Sequence, residues 1–274
     1  MSMKMIRQLE GSYSSKVELV QLGGKKYVLK TADVDDISNE KKFFEILAAK
    51  KLPTLKIHSS HELKSNQILL EYIPGSPTFL SHLSVAMCRK WGQLMRKINS
   101  IESESPAVLM GGKLQAIKWR EFIKSRIDQG KKKHLEKKST LPIVAIVKRL
   151  SVLLDYEPIK FGLLHGDAHS NNLLVKNNQL YIFDKNSTIF YGDALFDVAL
   201  VVIEFPNKLY VRTARADHQN DAAYLNAFID GYGYNFLQEQ KNIIDLYVLL
   251  RAFTRYPNKF EPFLKKIIEN IMAK

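Results

Sequence analysis

Leu163-Leu164-His165-Gly166-Asp167-Ala168-His169-Ser170-Asn171-Asn172, followed by Leu180-Tyr181-Ile182-Phe183-Asp184, is the stretch on which the reading of this chain turns. It sets two carboxylates and an amide close together in sequence. Asp167 and Asn172 lie five residues apart in a polar loop. Two short apolar runs, 172–176 and 180–183, flank the Asn177-Asn178 turn and read as a hairpin, with Asp184 at the end of its second strand. Transfer of a phosphoryl group to a hydroxyl needs one carboxylate to orient the acceptor and take its proton. It also needs oxygen ligands for a divalent cation against the phosphates. Asp167 suits the first task; Asn172 and Asp184 suit the second.

The same residues resemble the aminoglycoside phosphotransferase and choline kinase superfamily, a branch of the protein-kinase-like fold. That family carries His-Gly-Asp, four free positions, then Asn, matched here by His165-Gly166-Asp167 and Asn172. Average residue frequencies put a chance match at roughly one chain per thousand of this length. An apolar strand ending in Asp184 follows, and then Gly192-Asp193-Ala194-Leu195-Phe196-Asp197-Val198-Ala199, so coincidence is a poor explanation. The resemblance implies an α+β, bilobal fold with a small β-rich N-terminal lobe and a larger, mainly helical C-terminal lobe. It implies Asp167 as base, Asn172 and Asp184 as Mg²⁺ ligands, and ATP as phosphoryl donor. His165 and Asp197 are expected to support the loop, and Asp193 to cap the helix after it. His169 is given no catalytic role.

Working outward, Lys16–Gln21 and Lys26–Lys30 flank Gly23-Gly24 and read as a hairpin. In the family, the lysine ending such a strand contacts the α- and β-phosphates, which points to Lys30. Glu40 precedes the apolar run Phe43, Phe44, Ile46, Leu47 and is the favoured partner for it; Glu45 is the rival. Gly11-Ser12-Tyr13-Ser14-Ser15 takes the place of the phosphate-covering loop, which nominates Ser12 and Ser14. Leu69 to Gly75, with Glu71 and Ile73, takes the place of the strand and hinge that read the adenine. Pro74-Gly75 reads as a boundary, dividing a nucleotide-binding lobe at 1–74 from a catalytic and acceptor-binding lobe at 75–274.

Beyond residue 80 the spacing predicts helices over 81–100, 113–129, 141–155, 194–205, 222–229, 242–255 and 262–272, with 130–138 a charged connector. Trp119, Phe190 and Tyr191 are either core or acceptor-pocket residues. Lys185 stands where the family often has an aromatic residue. Directed inward, its charge would oppose a cation at Asp184, and this raises the alternative of a non-catalytic nucleotide-binding protein.

The 274 residues carry 46% hydrophobic and 25% charged side chains, ordinary for a globular protein. The single cysteine, Cys88, excludes an internal disulfide and fits a cytoplasmic protein. The N-terminus lacks an apolar signal stretch, and no apolar run is long enough for a membrane span. Of the net charge of +13, most comes from residues 76–160, with 17 basic and 7 acidic side chains, Lys131 to Lys138 above all. A polycationic acceptor would need an acidic pocket. The expected acceptor is therefore a small hydroxylated molecule such as a sugar, an amino alcohol or an antibiotic-like compound. The basic segment keeps a protein or RNA-associated kinase as the alternative.

Overall fold

The computed structural model describes residues 2–9, 15–74, 83–185, 187–212, 219–255 and 261–273. Ser12, Ser14 and the Gly75 side of the expected boundary lie outside them. The contacts group into two compact units. One comprises Met1–Phe79, Val108–Gln115 and His165–Phe190; the other comprises Leu80–Ala107, Ala116–Leu164 and Tyr191–Lys274.

The first unit is built on an antiparallel sheet of β1 (Lys4–Gln8), β2 (Lys16–Leu22), β3 (Lys25–Thr31), β4 (Ile57–His58) and β5 (Gln67–Glu71), in the order β1-β2-β3-β5-β4. The Gly-Gly turn fixes the central hairpin. Gly23 and Gly24 both take positive φ, 57° and 79°, and bring Leu22 opposite Lys25. From that register Lys30 sits opposite Val17 on one side and Ile68 on the other. Side chains alternate across a strand. Leu29 therefore joins Val20 and Leu69 in one apolar cluster, while Lys30 faces the opposite side.

Helix α1 (Val34–Ala49) carries Asp35 and Asp36 in its first turn, where they complement the positive helix end. Its buried face carries Ile37, Glu40, Phe43, Phe44 and Leu47. It stops where Lys51 adopts φ 55° and Leu52 N–H bonds back to the Leu47 carbonyl at 2.9 Å. Beyond it, β4 is only the two residues Ile57–His58. In the same unit, Leu173–Lys176 pairs with Gln179–Ile182 through the positive-φ pair Asn177 and Asn178, as expected.

The second unit is mainly helical. Val85–Asn99 is capped by Ser84 Oγ, which accepts from Met87 N–H at 3.2 Å. The expected helix over 113–129 is corrected at both ends. Lys113–Ala116 is a strand, and the helix runs Trp119–Glu136, through most of the segment expected as a connector. Trp119, Ile123, Ile127, Gly130 and His134 are buried at helical spacing, so the lysines of 131–133 occupy the rest of a continuous helix. Gly130 persists there because a Cβ would lie 2.6 Å from Phe253 Cδ1. The span 141–155 divides into Ile143–Leu150 and Val152–Asp155. Helices Ala194–Arg212, Gln219–Tyr232, Tyr234–Glu239, Lys241–Arg255 and Glu261–Met272 complete the unit. Phe161–Leu163, unread in the sequence, forms a strand pairing with Glu102–Ser103 and with Tyr191-Gly192. No helix among the described residues is long and apolar enough to cross a membrane.

Candidate active site

Lys30, Glu40, His165, Asp167, Asn172 and Asp184 all belong to the first unit. Lys30 Nζ lies 2.8 Å from Glu40 Oε2 and also donates to Asp184 Oδ1. Glu40 reaches Asp184 a second way, because its Oε1 accepts the Asp184 N–H at 3.2 Å. One buried glutamate thus fixes both the lysine and the backbone of the aspartate. Glu45 drops out as the partner. Burial disfavours the Lys30 charge, but attraction to Glu40 and Asp184 outweighs it and pushes the ammonium up to about 12. Burial pushes the Glu40 carboxyl up, against the pull of Lys30. Asp36, on the first turn of α1, is also raised, by burial and then by Asp33.

The loop from 165 to 172 is tied down at each turn. His165 is fully buried, and its Nε2 lies 2.9 Å from the Phe183 carbonyl. Its Nδ1 accepts the Asp167 N–H at 3.3 Å. One tautomer, with the proton on Nε2, satisfies both contacts. The imidazole therefore couples the backbone before Asp184 to the backbone of Asp167, and packs edge-on against Phe43 of α1. Gly166 takes φ 78°, and a Cβ there would stand 2.4 Å from Ser187 Cβ. Asn172 Nδ2 donates to the Asp167 carbonyl at 2.9 Å, and its own carbonyl accepts from Phe183 N–H. Those bonds orient the amide through its Nδ2. Asp184 itself has φ 61°, left-handed for a non-glycine residue and held so by Glu40 and Lys30.

A carboxylate and an amide oxygen are hard oxygen donors of the kind Mg²⁺ takes with phosphate and water completing its shell. Asp184 and Asn172 fit that ion. Asp167, about one-quarter exposed, keeps its Oδ2 3.2 Å from His169 Nε2.

Other expected residues divide clearly. Glu71 ends β5 opposite Tyr27, with its N–H on the Lys56 carbonyl and Oε1 on the Lys56 N–H. Ile73 is buried. In the second unit, Asp193 Oδ1 caps the next helix by accepting from Leu195 N–H at 3.0 Å, as expected. Asp197 is fully buried, with Oδ2 3.4 Å from Asn99 Nδ2, which also donates to the Leu163 carbonyl at 2.8 Å. Trp119 is core: its indole N–H donates to Tyr247 Oη at 3.0 Å. Phe190 is fully buried.

Two residues were weighed in the sequence without their contacts being legible. Lys185 is fully buried, with Nζ on the carbonyls of His165 and Ile189 and above the Phe190 ring. His169 faces Asp167. Its position two residues after the aspartate was the available signal.

Among solved structures, the chain resembles aminoglycoside phosphotransferase APH(4)-Ia in a ternary complex with ADP and hygromycin B. The match has TM-score 0.72 and 17% identity, covering 99% of this chain and 94% of that one. Spectinomycin phosphotransferase APH(9)-Ia, in complex with ADP and spectinomycin, matches with TM-score 0.59 and 16% identity over 97% and 92%. At such identity the likeness establishes the fold, protein-kinase-like with an N-terminal antiparallel sheet and one helix, and a mainly helical C-terminal part. Two curated relatives are described as probable bifunctional tRNA threonylcarbamoyladenosine biosynthesis proteins. That of Methanosarcina mazei is 30% identical over 79 residues, 29% of this chain and 13% of the relative. That of Methanosarcina acetivorans is 27% identical over 95 residues, 35% and 16%. The chain thus matches only a small part of these relatives' length. Residues 5–240 match the family described as APH, phosphotransferase enzyme family, and the chain belongs to that family.

Proposed function

We propose that this chain transfers the γ-phosphoryl group of ATP to a hydroxyl of a small molecule. The observation that carries the reading is the Lys30–Glu40–Asp184 triad, tied through His165 to the loop bearing Asp167 and Asn172. Lys30, fixed by Glu40, would steady the α- and β-phosphates. Asp184 and Asn172 would hold Mg²⁺, which when bound neutralises charge on the transferring group. Asp167 orients the acceptor hydroxyl and takes its proton as the O–P bond forms. Positioning and charge supply the rate, with no covalent enzyme intermediate. Lys185 turns to backbone carbonyls, which answers the concern that it opposes a cation at Asp184 and speaks against a non-catalytic role.

The acceptor reading is a hydroxylated molecule without multiple ammonium groups, supported by the basic balance of residues 76–160. A second reading, an RNA-associated kinase, has its own support. Lys124, Lys131, Lys138, Lys148 and Arg149 are exposed on or beside the helices Trp119–Glu136 and Ile143–Leu150. Among the described residues none has a carboxylate partner. The relatives named for tRNA modification lean the same way.

The test is phosphoryl transfer from γ-labelled ATP with Mg²⁺ across a panel of sugars, amino alcohols and aminoglycosides, with Asp167→Asn as control. A labelled small molecule, lost in the control, supports the leading reading. No transfer to any of them, together with tight salt-sensitive RNA binding, replaces it with the second.

A further inference from the structure

We propose that His169 is a positioning residue for Asp167: its Nε2–H holds one carboxylate oxygen so that the other edge of the group meets the acceptor. The inference rests on the kinase reading and deepens it, since that reading gives His169 no part.

The geometry comes from both ends of the side chain. Nε2 lies 3.2 Å from Asp167 Oδ2. Nδ1 is buried and has no hydrogen-bond partner among the described residues. A neutral imidazole has one N–H, and an ionised carboxylate can only accept. With the proton on Nδ1, a buried donor would go unmet and two lone pairs would face each other across 3.2 Å. With it on Nε2, the contact becomes a hydrogen bond and only a lone pair goes unmet. The burial of Nδ1 thus selects the tautomer that donates to Asp167.

The backbone fixes where that donor stands. His169 N–H donates to the Asp167 carbonyl at 2.8 Å, and the His169 carbonyl accepts from Asn172 N–H at 2.9 Å. The imidazole is therefore placed relative to the atoms that place Asp167 and Asn172, and its reach to Oδ2 is a property of the loop. Rotation of a carboxylate about its last torsion is soft. The bond from His169 to Oδ2 makes the two oxygens inequivalent and biases which edge is presented. Displacements of about 1 Å at a reacting group cost on the order of 100-fold in rate, so loss of the His169 bond is expected to lower kcat by up to that order.

Three variants and one spectrum test it. His169→Phe keeps the ring volume and removes the donor. His169→Gln returns an amide N–H near the Nε2 position. Asp167→Asn reports on the underlying reading. The assay is Mg²⁺-dependent release of phosphate from ATP with water as acceptor, with the KM for ATP read alongside. The expected result is a fall in kcat of up to about 100-fold for His169→Phe at unchanged KM, with most of the loss recovered in His169→Gln. Asp167→Asn should remove turnover entirely. If Asp167→Asn abolishes turnover while His169→Phe keeps it, the positioning role is overturned and the kinase reading stands. If Asp167→Asn leaves turnover intact, both fall. Should His169→Phe not fold, ¹H–¹⁵N correlation of the unaltered protein decides: an Nε2–H tautomer for His169 supports the assignment, and an Nδ1–H tautomer overturns it.

Discussion

Lys185 donates to the main-chain carbonyl of His165 at 3.1 Å from a side chain with no solvent exposure. Its Nζ also meets the Ile189 carbonyl at 2.7 Å and lies 4.5 Å from the Phe190 ring centroid and 5.6 Å from that of Phe43. The ammonium thus sits behind the loop that carries Asp167, where carbonyls and ring faces replace water.

Replacing it should therefore damage the fold before the chemistry. Lys185→Met fills much of the volume but leaves two buried carbonyls without this donor. The expected loss is roughly 2–4 kcal/mol of stability, read by urea denaturation. Because its Nζ is engaged by the His165 and Ile189 carbonyls, the affinity of the folded variant for Mg²⁺-ADP should stay within a few-fold of the parent's. Tighter nucleotide binding in the variant would mean that the lysine does oppose the cation.

The Lys30–Glu40 pair separates stability from function. Lys30→Met strands a buried glutamate that burial already pushes toward protonation. Breaking such a pair costs about 3–5 kcal/mol. Adding Glu40→Gln removes the stranded charge and should return most of that stability, measured by thermal and denaturant unfolding. It should not return full nucleotide binding, since the lysine proposed to steady the α- and β-phosphates is gone. A double variant that binds ADP as well as the parent would remove Lys30 from the site.

The sequence carried the site further than it carried the helical unit. Spacing together with the family resemblance nominated Asp167, Asn172 and Asp184, and their backbone setting was legible because a tight loop and a hairpin with an Asn-Asn turn are local structures. Lys30 was legible from a Gly-Gly turn that fixes register. The partner glutamate was chosen from order along the chain and met Lys30 as expected. The helix Trp119–Glu136 was misjudged because Lys131, Lys132 and Lys133 look like a solvated connector. Their helicity depends on His134 packing flat against Phe253 at 4.6 Å, a tertiary contact 119 residues away in sequence. The strand Phe161–Leu163 is three residues long, too short for periodicity to register. The direction of Lys185 was illegible for the same reason: it is set by carbonyls and rings that only the folded chain assembles.

Two helices of the second unit meet through glycine. A Cβ at Gly92 would lie 2.1 Å from the Phe228 carbonyl oxygen and 2.7 Å from Tyr232 N; one at Gly231 would lie 2.0 Å from the Arg89 carbonyl oxygen. Backbone cannot yield as a flexible side chain can. Gly92→Ala improves helix propensity by up to about 1 kcal/mol, yet it must push the helices apart. Overpacking costs typically about 1–3 kcal/mol, so the net expectation is destabilisation. A rise in Tm for Gly92→Ala would show that the crossing is looser than described.

Asp193 supplies a pH test with a definite sign. Its Oδ2 accepts from Tyr247 Oη at 2.8 Å and its Oδ1 from Leu195 N–H. Burial nevertheless dominates and raises the carboxyl from 3.8 to about 6, with the bonds from Leu195, Tyr247 and Tyr156 pulling the other way. A folded-state value above the unfolded one favours the protonated group in the native protein. Its contribution is full below pH 3.8 and is lost as pH rises through about 6. That loss amounts to about 3 kcal/mol. Asp193→Asn cannot ionise, and its Oδ1 can still cap Leu195. Hydrogen bonds lost to the substitution cost the same at every pH, so they offset the comparison without tilting it. Urea unfolding of both proteins between pH 4 and pH 8 should show the variant gaining on the parent by most of that amount, chiefly between pH 4 and pH 6 and hardly at all above pH 7. A stability difference that is flat across this range would mean that Asp193 titrates as it does in the unfolded chain and that its burial carries no such penalty.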